Sequence, residues 1–122
     1  LYYMHSRKTG AIIKASIVSA AIYSYCSEEE INKLKCYGEK LGLAFQIKDD
    51  ILDVSGDDVI LGKKTRSDLN NNKTTFVTVY GLDRCSEMCS EITRECMEIL
   101  DKIEGDTSCL KELTLLLLNR KK

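Results

Sequence analysis

The chain has 122 residues, a net charge of −1, 43% apolar and 30% charged residues, and neither Pro nor Trp. This length suits one domain, and no Pro/Gly/Ser-rich linker divides it. Balanced charge excludes bulk attraction to nucleic acid or an anionic membrane, and no apolar run reaches the roughly 18–20 residues that span a bilayer.

The sequence opens on Leu1, with no capping signal before it and no signal-peptide order in its first residues. It reads as starting inside an element, which leads us to expect a fragment or a processed product. From Gly10 to about Tyr25 it is rich in Ala, Ile and small residues with one charge, Lys14. This pattern predicts a helix buried nearly all round and closely approached by its neighbours. Ser27 and Glu30 form an S-x-x-E capping box. The helix they open is expected to run to Val54 or Ser55. Ile31, Leu34, Gly38, Leu41 and Phe45 form its apolar stripe. Each glycine costs roughly 1 kcal/mol relative to Ala in a helix, so Gly38 and Gly42 read as points of close packing.

The C-terminal end of that helix holds Gln46, Asp49, Asp50 and Asp53 among apolar Ile47, Ile51, Leu52 and Val54. Asp49 and Asp53 stand at i and i+4 and so share a face. Clustered carboxylates repel one another, and the C-terminal end of a helix dipole disfavours them further. A hard divalent cation, Mg²⁺, resolves both problems: it takes oxygen ligands and keeps sites for water and substrate phosphates. An EF-hand reading of residues 53–58 fails for lack of the ligand spacing and the late Glu.

Residues 55–73 form the one long irregular stretch, with the basic residues Lys63, Lys64, Arg66 and Lys73. A loop beyond about 12–15 residues is usually functional or disordered. A basic loop after an acidic face suits an anionic ligand between the two. Residues 74–80 are β-branched and short, and we read them as helix up to the stop at Gly81. The next helix opens at Asp83 or Ser86 and runs to about Glu104, with Cys85, Met88, Cys89, Ile92, Cys96, Ile99, Leu100 and Ile103 inward and Gly105 as its stop. Asp106 or Thr107 caps a last helix through Leu118. The six cysteines include no C-x-x-C pair, and three recur at helical intervals. Reduced thiols filling a core explain them better than disulfides or a Zn²⁺ site.

Phe45-Gln46-Ile47-Lys48-Asp49-Asp50-Ile51-Leu52-Asp53-Val54-Ser55-Gly56-Asp57, with Leu61-Gly62-Lys63 and Asn72-Lys73-Thr74 after it, closely resembles the second aspartate-rich region of the trans-prenyl diphosphate synthases. The bacterial farnesyl and geranylgeranyl type is the nearest. His5-Ser6-Arg7-Lys8-Thr9-Gly10-Ala11 is similar to the upstream Lys-Thr motif of the same family. The end at Asn119-Arg120-Lys121-Lys122 resembles its tail. The resemblance covers nearly the whole chain.

It implies an all-α fold, antiparallel helices of the isoprenoid synthase bundle, with the acidic face towards a central cavity. It also implies a cytoplasmic, Mg²⁺-dependent transferase that joins an allylic diphosphate to isopentenyl diphosphate. On this basis Asp49, Asp50 and Asp53 would hold the metal or its waters. Lys8, Lys63 and Lys73 would contact the allylic diphosphate, with Thr9 and Gln46 steadying it. Phe45 would support the hydrocarbon chain, and Asp68 would back the ligands without touching the metal. The family's first aspartate-rich motif and its isopentenyl diphosphate residues do not occur in this sequence, so the whole chain, residues 1–122, corresponds to a single C-terminal portion. We expect it to be inactive alone, to need the N-terminal part of the same fold, and to self-associate, as a homodimer or otherwise. Two alternatives are a non-catalytic regulatory or assembly subunit and a long-chain polyprenyl synthase.

Overall fold

The computed structural model describes the backbone over residues 2–55 and 74–121, and side chains over 8–54 and 74–121. Every regular element among the described residues is a helix: α1 (Tyr2–Tyr23), α2 (Glu28–Ser55), α3 (Phe76–Tyr80), α4 (Leu82–Asp101) and α5 (Ser108–Leu118). None of them is long and apolar enough to cross a membrane.

The first helix begins eight residues before the expected Gly10. Gly10 continues the helix because its backbone lies against Gly42: a Cβ built at Gly42 would stand 2.8 Å from the Gly10 Cα. One turn on, Gly38 lies against Lys14 in the same way, at 3.1 Å. Lys14 Nζ then reaches Glu39 at 2.6 Å. These contacts fix α1 antiparallel to α2, and they bear out the reading of both glycines as points of close approach. The expectation that α1 is buried nearly all round is corrected. Of its described residues only Ala21 is buried, while Ile12, Ile22 and Tyr23 are exposed. Among the described residues its one extensive partner is α2, which covers one face.

Ser27 Oγ accepts from the Glu30 N–H at 3.2 Å and, with Glu28–Glu30 in the first turn, fixes the start of α2 as expected. Two clusters hold the rest. Leu34, Tyr37, Leu41 and Ala44 of α2 pack with Cys96, Leu100 and Leu118. Ile47 and Ile51 pack with Cys85 and Cys89, bordered by Phe76 and Val77 of α3. All six cysteines are free thiols.

Helix α4 opens at Leu82, just before the expected Asp83. Gly81, at φ 86°, ends α3 and starts α4 without a loop, a conformation that glycine adopts freely. Its last turn tightens, with Lys102 N–H on Ile99 O and Ile103 N–H on Leu100 O, so α4 stops at Asp101 rather than Glu104. Gly105, at φ 104°, lies beyond that cap in the turn. Asp106 opens α5 by accepting from the Ser108 N–H at 3.0 Å. The buried Tyr37 hydroxyl bonds Thr114 Oγ1 at 2.6 Å and ties α5 to the middle of α2.

Candidate active site

At about 100° per residue, Asp49 and Asp53 lie within about 20° of the direction of Gly42 around α2, whereas Asp50 is turned by about 80°. The helix therefore sorts the three carboxylates. Asp49 and Asp53 extend the stripe that meets α1, and Asp50 leans towards α3.

Asp50 is buried, at 3% exposure. Its Oδ2 accepts from the Phe76 N–H at 3.0 Å, and its Oδ1 from Gln46 Nε2 at 3.4 Å. That carboxylate joins the first turn of α3 to α2. Asp49 is half-buried and Asp53 exposed. Asp49 Oδ1 accepts from the Arg120 guanidinium, which lies over the Phe45 ring with its Cζ 4.3 Å from the centroid.

The register that pairs Gly10 with Gly42 sets Thr9 level with Leu43 and Lys8 with Ala44, within about two helical turns of Asp49. Lys8 is exposed and Thr9 half-buried. The structure thus brings Phe45, Gln46, Asp49 and Asp53 to one end of α2, with Lys8 and Thr9 on the adjoining helix. Lys63, Asp68 and Lys73 lie outside the described residues, as do Lys64 and Arg66. A cleft of about 420 Å³ between Ile17, Leu34, Ile103 and Leu110 sits at the opposite end of α2 and has no part in this constellation.

Among the described residues no three His, Cys, Asp or Glu side chains converge as a metal cage. Two carboxylates one turn apart nevertheless fit a hard divalent cation that completes its shell with water and ligand phosphates. Sequence reasoning assigned no role to Arg120. The signal was a basic residue just past the last helix, but its partner stands 71 positions away.

Residues 1–114 match the polyprenyl synthetase family. The chain is 39% identical over 119 residues to the farnesyl diphosphate synthase of Micrococcus luteus, covering 98% of this chain and 41% of that protein. It is 42% identical over 100 residues to a chloroplastic geranylfarnesyl diphosphate synthase of Leucosceptrum canum, 82% of this chain and 28% of the relative. Over 84 residues it is 42% identical to a short chain isoprenyl diphosphate synthase of Methanocaldococcus jannaschii, 69% of this chain and 26% of the relative. The chain therefore spans about two-fifths or less of the length of these relatives.

Proposed function

The chain belongs to the polyprenyl synthetase family, and from that premise we propose that it supplies one half of the active site of a cytoplasmic, Mg²⁺-dependent short-chain prenyl diphosphate synthase. The reaction joins an allylic diphosphate to isopentenyl diphosphate, giving farnesyl or geranylgeranyl diphosphate. The allylic C–O bond breaks, pyrophosphate leaves, the isopentenyl double bond adds to the allylic cation, and a proton is lost. When bound, Mg²⁺ would stabilise the departing polyanion.

The observation that carries this reading is the sorting of carboxylates on α2. Asp49 and Asp53 share the stripe beside α1, one turn apart, and Asp50 is engaged with the Phe76 N–H. In our reading Asp49 and Asp53 present ligand oxygens. Asp50 contributes by holding the end of the helix and by orienting Gln46, whose amide it accepts. Lys8, with Lys63 and Lys73, supplies fixed positive charge for the diphosphate, and Thr9 and Gln46 orient it. Phe45 supports the chain end of the substrate, and Asp68 backs the ligand set.

The test combines the purified chain with Mg²⁺, isopentenyl diphosphate and dimethylallyl or geranyl diphosphate. No product is expected from the chain alone. Product should form when it is paired with the N-terminal three-fifths of a farnesyl diphosphate synthase, and Asp49→Asn or Asp53→Asn should lower that rate by about 10²–10³-fold. Undiminished product from both variants would overturn the assignment. A non-catalytic subunit is the second reading. It expects a stable complex with a complete synthase whose rate is indifferent to both substitutions.

A further inference from the structure

The two stripe carboxylates carry two negative charges at the end of α2, where the helix dipole adds to the repulsion. Among the described residues a basic side chain from beyond α5 answers Asp49. Arg120 is the residue on which Asp49, Phe45 and the end of α5 converge. Its guanidinium pairs with Asp49 and lies 4.3 Å from the Phe45 ring centroid. Its Nε–H donates to Leu117 O at 3.1 Å. Contacts from both α2 and α5 fix this cation, and its side chain is only 23% exposed. A free surface arginine would not be held this way.

Given Asp49 and Asp53 as the metal ligands, we propose that Arg120 is a resident cation of that site, which a divalent ion must displace from Asp49, and that it thereby sets the affinity of the site for metal. The guanidinium engages Asp49 Oδ1, and a divalent ion on the same carboxylate beside a retained arginine would meet direct like-charge repulsion. The Leu117 carbonyl and the Phe45 face are not metal ligands. They tether the guanidinium close by after displacement, so the exchange is reversible and local. The cation–π contact and the ion pair are each worth about a factor of a few in an equilibrium at a partly exposed site.

Metal binding without turnover tests this. Mn²⁺ binding to the 122-residue chain is followed by electron paramagnetic resonance for the native protein and for R120Q, R120K, F45L and D53N, each checked for helicity by circular dichroism. R120Q is expected to bind Mn²⁺ about three- to tenfold more tightly than the native chain. R120K should fall between the two, since it keeps the charge but loses the flat contact with Phe45. F45L keeps every charge and loosens the guanidinium, so it should tighten binding about twofold, and it decides the matter if R120Q fails to fold. In the native chain, diamagnetic Mg²⁺ should shift the Arg120 Nε–H resonance, and D53N should abolish that shift. Equal or weaker Mn²⁺ binding by R120Q and F45L, with binding still dependent on Asp53, would overturn the displacement while sparing the metal site. Binding indifferent to D53N in every background would overturn both.

Discussion

A methyl group added at Gly42 would stand 2.8 Å from the Cα of Gly10, closer than packed backbones tolerate. Gly42→Ala gains helix propensity of about 1 kcal/mol, but it overpacks a backbone contact, which costs typically 1–3 kcal/mol. We expect net destabilisation by urea unfolding. The partner position behaves oppositely: a Cβ at Gly10 meets nothing within 4 Å. Gly10→Ala should therefore be neutral or stabilising, by up to about 1 kcal/mol. Equal effects at the two glycines would contradict the packing of α1 on α2.

The thiols follow the same single-residue logic. Burial pushes Cys89 and Cys96 up to about 11, against roughly 8.5 for a free thiol. The folded state thus holds protons that the unfolded state releases first. The associated stability is complete below about pH 8.5 and is lost as pH rises through the folded value near 11. Melting temperatures should fall across that window, and should fall less when both cysteines are replaced by Ala or Val. A maleimide at pH 7 should label the exposed Cys36 and Cys109 and spare Cys85, Cys89 and Cys96 until the chain is unfolded.

At the scale of elements, α3 is only five residues long and has no buried residue of its own. Besides the packing of Phe76 and Val77 on α2 and α4, a local cap and a tertiary hydrogen bond hold it in place. Thr75 and Thr78 form a reciprocal capping box, and Asp50 accepts from the Phe76 N–H. Removing that acceptor strands a half-buried amide, at about 1–3 kcal/mol. Asp50→Ala should therefore lower stability without any metal present and speed amide exchange at Phe76. Asp53→Asn should have a smaller effect on stability and remove the stabilisation gained on adding Mg²⁺. If the two variants behaved alike in both measurements, the division of labour among the three carboxylates would be wrong. The start of α2 was legible in the sequence because Ser27 and Glu30 are three residues apart and the signal is local. The start of α1 was not, because the tolerance of Gly10 depends on Gly42, far along the chain. The Asp49–Asp53 stripe followed from helical spacing alone. The pairing of Asp49 with Arg120 and of Asp50 with the Phe76 N–H required the tertiary arrangement that carries α5 and α3 back to the end of α2.

At the scale of the whole molecule, the described residues cover α1 on one face only. Its outward stripe carries Ile12 and Ile22, 57% and 58% exposed, and Tyr23 at 87%. Exposed large apolar side chains of this kind favour association. The chain spans 41% of its Micrococcus luteus relative, and the described residues leave the outer face of α1 uncovered. In isolation the chain is therefore expected to associate through α1, and sedimentation velocity should show a weight-average mass that rises with concentration. Ile12→Glu together with Ile22→Lys leaves net charge unchanged and breaks the stripe at two points two to three turns apart. It should return the chain to a monomer with unaltered helicity, because neither side chain is buried within the fold. A second apolar surface on α5, Leu115 and Leu116, 42% and 71% exposed, supplies the control. If Leu116→Glu disperses the assembly and the α1 pair does not, association runs through α5. The Arg120 segment that follows α5 would then sit at the edge of the interface, and Mn²⁺ affinity should change with protein concentration. If the α1 pair disperses it, metal affinity and assembly should be independent, because the α1 stripe points away from the face that meets Gly42.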